Sequence, residues 1–314
     1  MGRYMIRRLL QAVPVFFGVT FVIFAMFHFM PGDPILAMFG DKPPPPSTYR
    51  TLRAHYNLDK PLWKQYVLYM GGLAKGDFGE DFNQRPVSDI IKERWPVTAK
   101  LAATGWAIEI VFGVLFGVFA GLRRGRLPDY AVLMFTTFFI SVPSFIISIV
   151  AQVINASYLH RSLGFNAIPV AGVLQGWPVA YLMPGVILAL LGMSSAARLT
   201  RTSLVENLRS DYVRTATAKG LSRSRVILRH ALRNSLIPVV TLEGLSLGGY
   251  MGGAIITEGI FNLPGIGNEV FTATQRGEFT VVTGISTALV LLFILINLVV
   301  DMLYGVLDPR IRYD

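Results

Sequence analysis

The chain has 314 residues, 53% of them apolar and only 15% charged, with a formal net charge of +10 and a mean hydropathy of +0.51. That balance is foreign to soluble domains and marks an integral membrane protein. The basic excess sits in short segments between apolar runs rather than on one folded polar surface, which argues against a nucleic acid partner. With no cysteine, neither a disulfide framework nor a thiolate metal site is available.

Six apolar stretches, near 9–30, 100–122, 131–155, 179–197, 236–257 and 280–305, are long enough to cross a hydrocarbon core of ~30 Å, which takes ~20 helical residues. The predicted fold class is all-α, a polytopic membrane protein of six transmembrane helices. Its parts are an N-terminal tail and first span (1–30), a folded extracytoplasmic segment (31–99), a core transmembrane domain (100–305) holding a polar loop at 198–235, and a short tail (306–314).

The first stretch follows Arg3, Arg7 and Arg8. It is longer than a signal-peptide apolar region and no small-x-small cleavage site precedes Pro31, so it is expected to be an uncleaved anchor. Arg123, Arg124 and Arg126 lie in the loop after the second stretch, nine basic residues lie in 198–235, and Arg310 and Arg312 lie in the tail. The loops near 156–178 and 258–279 hold one arginine each, Arg161 and Arg276. The positive-inside rule then puts both termini in the cytoplasm. Residues 31–99 are basic too, but a loop of that length is translocated largely regardless of charge.

In that outer segment, Ser47 is expected to cap a short helix ending near Asn57. Asp59 is expected to cap a second, with Pro61 in its first turn and Trp63, Tyr66, Val67 and Met70 on one apolar face. The face can pack on the chain's own spans, on the lipid interface or on a soluble partner. Further along, Gly113, Gly117 and Gly121 recur at every fourth residue, as do Gly244, Gly248 and Gly252, with Gly249 and Gly253 alongside. Such ridges let helices approach closely in lipid, either for static packing or as a sliding surface.

Pro143 and Pro184 fall inside predicted spans and are expected to kink them. Glu109 and Glu243 interrupt apolar runs, where an ionised carboxylate costs at least ~2.5 kcal/mol. They can line a translocation path or pack inside the protein. Asp301, near the end of the last span, has Arg310 or Arg312 as its expected partner.

Residues 209–235, RSDYVRTATAKGLSRSRVILRHALRNS, form the best-marked polar segment. They read as two short helices about Gly220, which can close the first by taking the left-handed conformation. Ser210 or Asp211 can cap the first helix and Ser222 the second. Tyr212, Ala216 and Lys219 would lie on one narrow stripe flanked by the small Thr215, Thr217 and Ala218, a helix slim enough to enter a groove. The alternative is a solvated basic loop.

Farther on, Thr257 to Gln275 breaks the membrane pattern with Pro264-Gly265, and Gly267 or Asn268 starts a short amphipathic helix. Irregular backbone near membrane depth persists only where protein or a water-filled cavity covers it, which fits an outer gate or lining element built on Phe261, Pro264, Gly265 and Gly267. The four histidines have no metal-ligand spacing, and no zincin, serine-hydrolase or phosphate-loop string occurs, so no catalytic or metal site is expected.

Read together, IRRLLQAVPVFFGVTFVIF, LDKPLWKQY, GDFG, SVPSF, the long string ARLTRTSLVENLRSDYVRTATAKGLSRSRVILRHALRNSLIPVVT, IFNLPGIG and VLDPRIRY resemble the permease subunit of peptide- and nickel-type ABC importers, over nearly the whole chain. The resemblance implies the type I importer permease fold. It also implies that 209–235 carries the EAA motif, whose coupling helix seats in a cytoplasmic ATPase.

Matched residue by residue, Gly220 is the motif glycine and Ala216 its second alanine. Arg214 and Thr215 stand where the motif has glutamate and alanine, and Arg233 stands at its later proline. The implied coupling residues are Asp211, Tyr212, Arg214, Thr215, Ala216, Ala218, Lys219, Gly220 and Leu221. The implied partners are a homologous second permease, two ATPases that bind ATP and magnesium in place of this chain, an extracytoplasmic solute-binding protein and the lipid bilayer. Di- or oligopeptides are the implied solutes, with a nickel chelate, glutathione or another small solute as alternatives. Outside that class stands a secondary transporter driven by an ion gradient, which Glu109 and Glu243 would serve.

Overall fold

A computed structural model of the chain describes residues 2–28, 33–39, 42–160, 168–251 and 254–307. The helix α1 (Gly2–His28) is followed by three short helices, α2 (Pro34–Phe39), α3 (Pro46–His55) and α4 (Leu62–Leu73). Next come α5 (Val87–Leu122), α6 (Leu127–Ser141) and α7 (Ser144–Ile154), which runs on as a π-helix over Asn155–His160. After α8 (Val179–Leu208) and α9 (Asp211–Ala218), an arm is built from α10 (Arg223–Arg225), a second π-helix (Val226–Leu232) and α11 (Arg233–Ser235). The chain ends with α12 (Ile237–Met251), α13 (Ile255–Ile260), α14 (Ile266–Arg276) and α15 (Phe279–Leu307). Among the described residues β pairing is limited to one isolated bridge, Glu80 with Pro86.

All six expected apolar stretches carry helix, but among the described residues four single helices are long and apolar enough to cross a membrane, within α1, α5, α8 and α15. The third stretch is a bent pair. α6 and the helix after it meet at 101°, because Pro143 has no N–H to donate and holds Val142 in extended backbone, with ψ 125. Pro184 does not interrupt its helix, and α8 runs through it for 30 residues. Within the described residues the fifth stretch forms α12, whose 15 residues rise about 22 Å, and α13 starts after Ala254.

The tightest seam joins α5 to α8. A Cβ on Gly113 would sit 2.7 Å from Ala196 Cβ, and one on Gly117 would sit 2.5 Å from Thr200 Cβ and 2.6 Å from the Ala197 carbonyl oxygen. At Gly121 the nearest atom, Leu204 Cδ2, would be 3.2 Å away. The second glycine ridge meets α15, with Gly244 against Val300 and Gly248 against Phe293 and Ile296. Gly252 and Gly253 lie outside the described residues. Both ridges therefore serve close packing inside this chain, as lipid-embedded helices require where no hydrophobic force draws them together.

Polar ties hold the rest. Asp129, 1% exposed, takes two bonds from the Arg201 guanidinium, at 2.5 Å from Nε and 2.7 Å from Nη2, and a third from the Gly125 N–H at 2.8 Å. This clamps the start of α6 to α8. Asp301 pairs with Arg8 Nε at 3.3 Å, so α1 neutralises the last span; the expected partners Arg310 and Arg312 lie outside the described residues.

The short helices α3 and α4 begin differently from the sequence expectation. The N-cap positions of α3 and α4 are Pro45 and Pro61, without side-chain cap bonds, because proline already fixes the backbone there. Neither Ser47 nor Asp59 caps. The apolar face of α4 is divided: Trp63 and Val67 are exposed, while Tyr66 reaches α1, its hydroxyl 2.9 Å from Thr20 Oγ1. Tyr69 donates to Thr287 Oγ1 of α15 at 2.8 Å.

Replacing Gly117 by Val drives a branched side chain into the α8 backbone, an overpacking cost of roughly 1–3 kcal/mol or more. Gly18→Val, at a site with nothing within 4 Å, is the control. Thermal unfolding of the detergent-solubilised protein should show a lower midpoint for the first variant and an unchanged one for the second. Arg201→Ala, which strands buried Asp129, should cost about 3–5 kcal/mol in the same assay.

Candidate functional site

The polar loop between α8 and α12 folds as a hairpin braced on its own chain. Gly220 closes α9 with φ +77, a conformation that costs an L side chain strain and glycine little. Ser210 and Ser222 occupy the two N-cap positions but form no cap bonds. Ser210 Oγ instead donates back to the Asn207 carbonyl at 2.5 Å, tightening the turn that leaves α8. Val213 and Ala216 point inward and pack with Leu204 of α8 and with Val226 and Ala231 of the arm, beside Val118, Leu208 and Leu221.

This inward pair revises the stripe expected from sequence. Ala216 is buried in the brace and Leu221 is half-buried against it, so neither belongs to an outer contact face. Asp211, Tyr212, Arg214, Thr215, Ala218 and Lys219 are exposed, as is Gly220. Tyr212 bonds to the Asn207 side chain, and Arg214 lies 3.6 Å from Asp211. The result is a short helix whose small outward residues, Thr215 and Ala218, are flanked by Arg214 and Lys219. Such a face enters a groove without steric obstruction and favours an acidic one.

The far end of the molecule carries the second site element. Phe261 is 1% exposed and packs with Leu263, Leu101, Ala180, Tyr181 and Ile187; it lines no open surface in this state. Pro264 is half-buried, and Gly265 and Gly267 are buried. What organises this loop is Glu258, 0% exposed. Its Oε1 accepts from Thr98 Oγ1 of α5 at 2.7 Å, and its Oε2 accepts from the Asn268 N–H at 2.9 Å, with the Gly267 N–H also donating. Thr98 Oγ1 in turn accepts from the Ile266 N–H at 2.8 Å.

A carboxylate thus caps α14 from outside it, satisfying N–H groups that have no helical partner. The glycines make room for it: a Cβ on Gly265 would lie 2.5 Å from Glu258 Cδ, and one on Gly267 would lie 2.8 Å from Ile255 Cα. Sequence reasoning assigned the glycines and missed the glutamate. The available signal was a lone acid at the end of an apolar run, seven residues before a Gly-x-Gly that opens a helix.

Glu109 and Glu243 are 0% and 3% exposed. Glu109 lies on the α8 backbone, where a Cβ on Gly192 would fall 2.1 Å from its Oε1, and Tyr250 and Ser246 of α12 flank it. Glu243 faces the same interior, its carbonyl taking the Trp106 indole N–H at 2.8 Å. None of the four carboxylate oxygens has a hydrogen-bond partner of good geometry. This placement sets both carboxylates among α5, α8 and α12. The candidate residues therefore form three groups, at the two ends and in the middle of the α5–α8 pair.

Removing the carboxylate with Glu258→Ala leaves the buried donors of Thr98, Gly267 and Asn268 unsatisfied, at roughly 1–3 kcal/mol each. Limited proteolysis should then cut between Thr257 and Gln275 faster than in the parent, whereas Glu258→Gln, which keeps acceptor capacity, should lie between the two.

Residues 113–313 match the family described as the binding-protein-dependent transport system inner membrane component, and residues 1–102 match that family's N-terminal region. The dipeptide transport system permease protein of Escherichia coli (strain K12) is 36% identical, with 100% of this chain and 99% of the relative covered. The glutathione transport system permease protein of the same strain is also 36% identical, covering 100% of each chain. Among solved structures, an inward-facing form of the MetNI methionine ABC transporter aligns with a TM-score of 0.55 and 17% identity, over 70% of this chain and 96% of that one; it shares the fold. With all-α architecture, apolar helices of spanning length and family matches across both parts of the chain, this protein is a multi-pass inner-membrane component and belongs to the permease family of binding-protein-dependent ABC importers.

Proposed function

We propose that the chain forms half of the membrane path of an ATP-driven importer for short peptides, with α9 as the element that a cytoplasmic ATPase grips. The observation that carries this reading is the construction of α9: inward residues lock it to α8 and the arm, while a slim, basic face is left outward. A merely solvated loop has no need of such bracing. The two relatives bear on the solute as a class, because glutathione is itself a tripeptide and identity to both is equal.

In this reading both termini lie in the cytoplasm, following the arginine-rich loops. A homologous second permease completes the path, an extracytoplasmic binding protein delivers the solute, and two ATPases bind ATP and magnesium. This chain holds no cofactor and catalyses no reaction. Closure of the ATPases presses on α9; Val213 and Ala216 pass the displacement to Leu204 at the base of α8. The glycine seam makes α5 move with α8, and Thr98 on α5 carries Glu258 and the outer loop. Coupling needs such a contiguous element with two arrangements that ligand binding biases.

Ala218→Trp and Arg214→Glu alter the outward face without touching the brace. Both variants should insert and fold normally, lose about 10-fold or more of ATPase co-purification, and lose ATP-driven uptake of a radiolabelled dipeptide. Undiminished uptake in both would remove α9 from the coupling role. Ala216→Asp buries a charge in the brace and should instead lower thermal stability together with uptake, and Gly220→Val should do the same through backbone strain alone, since no atom lies within 4 Å of its Cβ position.

A further inference from the structure

A cavity of about 410 Å³ opens on the outer side between α1, the outer helices and the start of α15. Its volume falls in the range of small-ligand sites. The floor is apolar, formed by Phe24, Leu68, Phe82 and Phe279, and the rim includes Asp77 and Glu80. The walls are fixed: Tyr69 is anchored to Thr287, and a Cβ on Gly79 would sit 2.4 Å from Thr280 Cγ2, so the rim loop lies directly on α15.

The rim is acidic in an otherwise basic outer segment. Asp77 Oδ1 is engaged by the Gly79 N–H at 2.8 Å, and Asp81 by the Asn83 and Arg85 N–H groups, both at 2.8 Å. Glu278, nearby, meets Arg276 at 3.7 Å. Glu80 has His55 Nε2 at 3.8 Å, beyond hydrogen-bond length. Tyr56, on the cavity wall, registers the field: burial, then Glu80, Asp81 and Glu278, push its hydroxyl above the ordinary tyrosine value. Burial and the nearby Asp81 likewise push Glu278 up. An acidic rim over an aromatic floor is complementary to a ligand with one ammonium group and one apolar body of aromatic size.

We propose that this cavity binds the N-terminal end of a short peptide with a hydrophobic first residue, its ammonium at Glu80 and Asp77 and its first side chain on the aromatic floor. The peptide class rests on the function proposed above. An ethanolamine lipid presents an ammonium too, but its phosphate, two carbons away, would meet the same carboxylates, so charge disfavours it. The site lies outside the α5–α8 core and gives the permease a contact with solute that is separate from the path.

The test uses the full chain purified within its importer complex, without the binding protein, in phosphatidylcholine nanodiscs. Titration with 2-phenylethylamine should saturate, and 2-phenylethanol, its neutral counterpart, should bind at least 10-fold more weakly. Phenylalanyl-alanine should compete with the amine and its N-acetyl form should not. Glu80→Gln, at a half-exposed side chain, should leave the thermal midpoint of the complex unchanged and weaken amine binding about 10-fold; Leu68→Trp should fill the floor and abolish it. Equal binding of amine and alcohol, or an unchanged Glu80→Gln titration, overturns the site. Loss of amine binding when phosphatidylethanolamine replaces phosphatidylcholine assigns the cavity to lipid and overturns the peptide ligand. Failure of the same complex to import any peptide once it is reconstituted in proteoliposomes with its binding protein, with amine binding in nanodiscs intact, would count against the transport reading and leave the cavity's chemistry standing.

Discussion

Helices in a bilayer gain nothing from hiding apolar surface from one another, so the architecture depends on how closely two backbones can approach. In this chain that constraint is met chiefly along α5 and α8, where Gly113 and Gly117 accept Ala196 and Thr200 at distances a methyl group would forbid and Gly121 meets Leu204 closely. The two helices act as one plank of 36 and 30 residues. One end carries α9 through Leu204, and the opposite end holds Glu258 through Thr98. The coupling helix and the Glu258 loop are both attached to this plank, whereas the acidic cavity stands apart from it, on α1, α4 and α15.

Much of this was legible in the sequence. The glycine spacing announced a close-packed seam, and the positive φ at Gly220 followed from its place after a short polar helix. The break between α6 and α7 was announced by Pro143, although its size, a right angle rather than a kink, depends on what packs around it. Pro184 shows the converse, since neighbours can absorb a missing donor well inside a long helix.

Pairings across distance were much less legible. Helical periodicity places Tyr212, Ala216 and Lys219 on one stripe, but which stripe turns inward is decided by Leu204, Val226 and Ala231, residues of two other elements. Arg8 with Asp301 and Thr98 with Glu258 join residues more than a hundred positions apart, and no local pattern marks either. Glu109 and Glu243 were visible as anomalies; their neighbours, Gly192 and Tyr250 among them, are residues of other helices that no local pattern marks.

The arm between α9 and α12 has one more property. Over Val226–Leu232 its backbone adopts the wider π register before returning to α-helix. Conversion of such a stretch to the α register advances whatever follows by about one residue, on the order of 1.5 Å along the axis and about 100° around it. Mechanically, the arm is a screw thread: a short axial stroke at one end can emerge at the other as a turn of α12, and with it of the face that α12 presents to its neighbours.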